Sequence, residues 1–530
     1  MNRRDFLEAI GAAAIAAGSA VTGAASAPTR STGGSECGQG GELDVVEQSL
    51  AGLSRAQAEG RASAESLTRA YLRRIDQYDR AGPKLGAVLA VNPEALSAAR
   101  ALDAARRAGK LQGPLHGIPL LLKDNIETRD PLPTTAGSLA LVSARHRADA
   151  PVAARLRAAG AIVLGKANLS EWANFRSSRS VSGWSGVGGQ TRCPYDPTRN
   201  PSGSSAGPAA GTAANLCAAS VGSETDGSVL APASINGLVG VKPTLGLVSG
   251  VGVVPISTRQ DTTGPMTRSV TDAALLLAVM AEPSVRWDGV ASLESPPKGL
   301  RLGVLPPPES THPQVLRQSQ DWLKLLERQG FTLVEVKSPP GWSRLLEDEF
   351  EVLLYDFKAD LNAYLARFNG TLPVRTLADL IAFNNQHAAE EMPFFGQDLF
   401  EQSQARGPRS SPAYQKALAH ITDVADTHGL AAIFANYRVD ALVASGNGPA
   451  ELIDHVWGDH YENSGGWPPM CSAAAVAGYP SLTVPAGSVA GLPVGIHFVA
   501  PRFRDGLLLT IGRSFERARN AREPPRLAAI

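Results

Sequence analysis

The stretch PSGSSAGPAAGTAANLCAASVGSETDGSVLAPASINGLVGVK, residues 201–242, decides how this chain is read. Glycine, serine and threonine crowd both of its ends. Glycine loses more chain entropy on folding than any other residue and has no side chain to bury, so a packed core gains nothing from such a run. A backbone that must pass close to a reacting group does. Two serines stand out, Ser204 in SGSSAG and Ser228 in ETDGS. Between them, residues 206–219 are alanine-rich and permit a helix. The expected order is loop, helix, then a second tight glycine-containing turn, which can return Ser228 to the neighbourhood of Ser204.

A nucleophilic serine needs a base, because its hydroxyl is weak at neutral pH. Histidine is the usual base, and the stretch holds none. Upstream, GPLHGIPLLLKDNI (113–126) runs an apolar segment, Ile118–Leu122, into Lys123. A strand ending in lysine places an amine at a sheet edge, partly out of water. Desolvation lowers a lysine pKa and leaves the amine free to accept a proton.

These segments, with NLSEWANFR (168–176), SGWSGVGGQTR (182–192), QDTTGPMTRSVTDAA (260–274) and SAAAVAGYPSLTVP (472–485), resemble the amidase signature family, serine hydrolases with a Ser–cis-Ser–Lys triad. The resemblance is nearest to the family's peptide amidase branch and covers most of the chain from about Leu43 onward. Carried over position by position, it implies Lys123 as base, Ser204 as bridging serine in a cis peptide and Ser228 as nucleophile. Backbone N–H groups of Thr225, Asp226, Gly227 and Ser228 would hold the oxyanion. The implied reaction converts a carboxylic amide to acid and ammonia, with no metal and no cofactor. Implied substrates are C-terminally amidated peptides or amino acid amides, with aryl or aliphatic amides as the alternative. The implied fold is α/β, one large mixed sheet covered on both sides by helices. Two departures are visible. The family's Gly-Gly-Ser is here Asp226-Gly227-Ser228, which sets a carboxylate beside the nucleophile. Its Gly-Gly-Ser-Ser-Gly-Gly loop is here Ser202-Gly203-Ser204-Ser205-Ala206-Gly207.

Composition fits an ordinary globular chain: 43% hydrophobic, 19% charged, net charge zero over 530 residues. That balance argues against nucleic acid or an anionic membrane as partner. Residues 1–27 stand apart. Arg3-Arg4 opens a twin-arginine pattern, an apolar Ala/Gly run follows, and Ala25-Ser26-Ala27 resembles a cleavage site. The expectation is a twin-arginine signal and a periplasmic or secreted protein. The run is too short for a stable membrane span. Residues 28–41 read as a disordered linker, and 42–530 as one domain, with the signature core at about 110–282 and a helical cap at about 343–435. Of the four cysteines, Cys37, Cys193, Cys217 and Cys471, the sequence selects no pairing.

Local patterns add detail. Two helices are expected over 42–78, the second capped by Ser63. Strands are expected at 86–91, 118–123, 161–164, 301–305 and 332–337. Helices are expected at 93–108 and 313–329, and from a Ser269 cap to Met280. Strands return over 440–500, and a helix closes at 505–520. Asn168–Glu171 reads as a capping arrangement opening another helix. Lys166, Lys242, His116 and Asp261 read as structural, and the S-x-x-K match at Ser295 and Lys298 as chance. The aromatics Tyr355, Phe357, Phe394, Phe395, Trp457 and Trp467 line a pocket or, by default, pack the core. A rival reading takes Gly203–Gly207 as a G-x-S-x-G elbow, with Ser205 as nucleophile and a histidine among His455, His460 and His497. A third is a binding protein that kept the scaffold without the chemistry.

Overall fold

The computed structural model describes residues 43–289, 293, 299–368, 372–460 and 467–527. The expected signal and linker, Cys37, and Ser295 with Lys298 lie outside them. Eleven strands make one sheet: β1 (Val88–Val91), β2 (Ile118–Lys123), β3 (Ala161–Ala167), β4 (Ala219–Glu224), β5 (Val239–Lys242), β6 (Thr262–Thr267), β7 (Arg301–Val304), β8 (Thr332–Glu335), β9 (Ala441–Ser445), β10 (Ser481–Val489) and β11 (Leu492–Val499). Their order is β1-β3-β2-β4-β6-β5-β10-β11-β9-β7-β8. The β3–β2–β4 and β9–β7–β8 neighbours pair parallel and the rest antiparallel, so the sheet is mixed.

Unbroken apolar runs build the parallel part. IPLLLK in β2 and AIVLGKA in β3 are buried at every position, as strands covered on both faces must be. The helix Pro151–Ala158 carries the chain from one to the other and packs on β3. Farther along, residues alternate between faces. Leu482 and Val484 of β10 meet Gly512 of the helix Asp505–Arg519, whereas Thr483 between them lies beside Gly240, where Ala233 of the helix Leu230–Ile235 also arrives. Helices therefore cover both sides. The described residues between 340 and 437 are mostly helical, chiefly Leu345–Ala366, Leu377–Gln386 and Pro412–Thr422, and include no strand. Leu353, Phe357 and Leu361 from the first of these share a core with Trp172, Phe175 and Ile256. The helical region thus sits over the loops that leave the strands. Among the described residues no helix is long and apolar enough to cross a membrane.

Two local expectations fail for visible reasons. The alanine-rich helix stops at Ala213, where Asn215 turns left-handed (φ 57°), and 219–224 becomes strand β4. ASVGSE has weak strand propensity. Its place between β2 and β6 makes it a strand. Cys217 is accordingly not helical, though it is buried and unpaired like Cys193 and Cys471. The helix expected after Asn168–Glu171 is absent. Trp172, Ala173 and Asn174 form a left-handed turn with φ of 50°, 55° and 69°. The capping side chains are engaged elsewhere. Glu171 accepts from Gly186 N (2.7 Å) and pairs with buried Arg176 (3.2 Å), while Asn168 bonds Ser185 and Thr191.

Candidate active site

Lys123 is the last residue of β2 and is fully buried. Its Nζ lies 2.7 Å from Ser204 Oγ, 3.0 Å from Ser223 Oγ and 3.2 Å from the Ser223 carbonyl. Burial pushes its pKa down to about 7, against smaller opposing pulls from Asp261 and Glu224. A neutral amine has two hydrogens and one lone pair. The Ser223 oxygens take the hydrogens, and the lone pair is left for the Ser204 hydroxyl. Asn125 Nδ2 donates to the same Ser223 Oγ at 2.8 Å and fixes it. Sequence reasoning missed Ser223 and Asn125. The signal was their position, one at the end of β4 and the other just past the lysine, and both strands end at the same edge.

The Gly203–Ser204 peptide is cis. Ser204 is fully buried, and its carbonyl accepts from Ser170 N at 3.1 Å. The two serine loops meet where Ser205 N donates to the Ser228 carbonyl at 3.1 Å. Ser228 stands at the wall of a cavity of about 400 Å³. Among the described residues its hydroxyl has no hydrogen-bond partner, and none joins it to Ser204 Oγ. Such contacts commonly close only when substrate arrives. A depression of comparable size at Tyr195, Arg522 and Glu523 shares no residue with this site.

The turn before Ser228 is held by two carboxylates. Glu224 Oε2 accepts from Val229 N (2.7 Å) and Leu230 N (3.0 Å). Asp261 takes Thr225 Oγ1 at 2.6 Å on one oxygen, and Ile256 N (2.9 Å) and Ser257 N (3.1 Å) on the other. Gly227 has φ +76°, and a Cβ there would stand 3.2 Å from the Trp467 ring, so both conformation and space call for glycine. The amides of Thr225, Asp226 and Ser228 find no acceptor among the described residues. Asp226 also lines the cavity. Burial raises its pKa and that of Glu349, which it touches.

The other expectations sort cleanly. Ser205 is fully buried, with its hydroxyl given to the Ser223 carbonyl (3.1 Å), and it begins the helix Ala206–Ala213 without a preceding strand. His455 bonds Gln190, His460 bonds Asp454, and His497 is buried against Trp467. None of the three reaches Ser205, so no elbow forms. His116 is bonded to Gln112 N and the Leu102 carbonyl. Of the aromatics, Trp467 lines the cavity, whereas Tyr355 and Phe357 are core and Phe394 and Phe395 pack on Trp184.

A family profile described as Amidase matches residues 66–509. The chain belongs to the amidase family. A probable amidase of Arabidopsis thaliana is 37% identical over 513 residues, covering 92% of this amidase and 93% of the plant protein. Among solved structures, native peptide amidase from Stenotrophomonas maltophilia superposes with a TM-score of 0.85 at 44% identity, over 91% of this amidase and 99% of that chain. An amidase family protein from Bacillus anthracis superposes with a TM-score of 0.79 at 32% identity, over 91% and 93%. The sequence expectations of an amide-hydrolysing enzyme and a large mixed sheet are thereby met.

Proposed function

We propose that this amidase hydrolyses the terminal carboxamide of peptide amides or amino acid amides to acid and ammonia. The observation that carries the reading is the Lys123 amine, sealed from water and hydrogen-bonded only to the oxygens of Ser204 and Ser223. A lysine so placed is a base near neutral pH rather than a fixed cation. Likeness to a solved peptide amidase over nearly its whole length supports the substrate class.

In the proposed sequence Lys123 accepts the Ser204 proton, Ser204 accepts that of Ser228, and Ser228 Oγ attacks the carbonyl carbon. The oxyanion receives N–H groups of Thr225, Asp226, Gly227 and Ser228. The proton on Lys123 returns through Ser204 to the leaving nitrogen, which departs as ammonia. Water then attacks the acyl-serine, the relay takes its proton, and the acid leaves with Ser228 restored. Each oxyanion donor contributes about 3–4 kcal/mol.

Ammonia release from a panel of peptide, amino acid, aryl and short aliphatic amides tests the substrate class. Ser228→Ala should lower kcat on every member by roughly 10⁴-fold or more with an unchanged circular dichroism spectrum. Retained turnover refutes Ser228 as nucleophile. Residues 1–27 support a further proposal, export by the twin-arginine route. Activity that stays in the cytoplasmic fraction of an expressing bacterium, and is unmoved by Arg3→Lys with Arg4→Lys, refutes it.

A further inference from the structure

Strand β9 ends at Ser445 and leads through Gly446 to Asn447 at the cavity. Gly446 N donates to the Gly495 carbonyl at 2.9 Å, and a Cβ at Gly446 would collide with that same carbonyl. The backbone entering Asn447 is therefore pinned to β11. Asn447 lines the same cavity as Ser228 and is only 6% exposed. Its carboxamide nevertheless makes no hydrogen bond among the described residues, and its oxygen is buried without a partner. Asn174 Oδ1 and Asp226 Oδ1 of the same wall also lack a hydrogen-bond partner, whereas three other polar side chains of the wall are engaged within the protein. Asn200 donates to Asp459 (2.6 Å) and accepts from Ser202 N (2.6 Å). Glu451 accepts His460 N on both oxygens at 3.0 Å, and Trp467 Nε1 donates to Ser472 at 3.0 Å.

A buried polar group left unmatched opposes folding, so an unmatched carboxamide in a cavity wall marks a place where a ligand supplies the match. A carboxamide presents one acceptor and one donor face side by side. A trans peptide group carries its N–H and its C=O on opposite edges, so the unpartnered Asn447 oxygen would accept the N–H of one. An N-acyl amino acid amide or a peptide amide carries such a group on the acyl side of the scissile carbonyl, and a simple alkyl amide does not. The geometry points to Asn447 as a specificity-determining residue that pairs with the peptide group preceding the scissile carboxamide. This rests on the amidase reading above. A pocket built to bond a polar group discriminates against substrates that lack it far better than an apolar pocket discriminates by size.

The test crosses a deletion in the enzyme with a deletion in the substrate. N-acetylphenylalaninamide carries the peptide group, and 3-phenylpropionamide is the same amide without it. The wild-type enzyme is expected to favour the first by tenfold or more in kcat/KM, read as ammonia release. Asn447→Ala should lose at least tenfold on the first, mainly through KM, and stay within twofold on the second, so that the preference collapses. Asn447→Leu, of similar volume, should do the same and covers the case in which the alanine variant misfolds. Equal losses on both substrates would assign Asn447 a structural role and overturn the proposal. No change on either would overturn it too, while leaving the amidase reading intact. Failure of the wild-type enzyme to release ammonia from either amide would overturn both.

Discussion

Lys123 ends β2 and Lys166 lies one residue before the end of its parallel neighbour β3. The pairing sets Lys123 beside Ala167 and Lys166 beside Leu122, so the two side chains leave the sheet on opposite faces. Both are fully buried, and burial lowers the pKa of each. The partners differ. Lys166 stands 3.6 Å from Asp124 Oδ1 and donates to the Ile126 carbonyl (2.6 Å) and Thr134 Oγ1 (2.9 Å). Among the described residues, the Lys123 amine hydrogen-bonds only to oxygens of Ser204 and Ser223. A carboxylate at close range keeps an ammonium charged. Hydroxyls and a carbonyl solvate an amine without stabilising its charge to the same degree. Burial alone does not make a lysine a base; burial beside uncharged oxygens does. On one face the sheet edge ties loops together, and on the other it holds the amine that the proposed relay uses.

Exchanging each lysine for methionine breaks this pair in opposite ways. Lys123→Met should lower kcat by roughly 10⁴-fold, because residues acting as one relay lose nearly everything together. It should leave stability unchanged or slightly higher, since no buried carboxylate loses its partner. Lys166→Met strands Asp124 in the interior, and removing one partner of a buried ion pair costs about 3–5 kcal/mol. Urea unfolding should show that loss, while kcat per folded molecule stays within a few-fold of wild type. Similar effects of the two substitutions on either measurement would erase the distinction.

The sequence read the two faces unequally well. The β2 run and the serine-rich segments are local signals, so the helix–strand order, the Lys123 position and the Ser204 loop were legible. Lys166 and Lys242 were read as structural from context, and the carboxylates beside them, Asp124 for one and Glu224 for the other, give the physical basis. What was missed depends on pairing across the sheet. Ser223 reaches Lys123 only because ASVGSE is pressed into a strand between β2 and β6. Asn168 and Glu171 spell a helix cap in isolation, yet loops over ten residues downstream take their side chains first. Asn447 lies more than 200 residues beyond Ser228 and has no local pattern around it. Its place in the cavity comes from β9 lying against β11.

A smaller effect tests the electrostatics of the Lys123 side alone. The amine must be neutral to accept a proton, so kcat/KM should fall as pH drops through about 7, the value to which burial brings Lys123. Among the charges that oppose burial, Asp261 acts most strongly. Burial raises its own pKa to about 7, so it is losing its charge over the same range. Asp261→Asn removes a negative charge that favours the protonated lysine, and the acid limb should move to lower pH, by less than about 1 unit for a neighbour that is itself half protonated there. The amide can keep the local bonds: its oxygen replaces the one that takes Ile256 N and Ser257 N, and its NH₂ donates to Thr225 Oγ1 in place of accepting from it. A limb that moves to higher pH would mean that Asp261 acts through the shape of the Thr225 turn rather than through charge. A limb that does not move at all would place the group titrating near pH 7 somewhere other than Lys123.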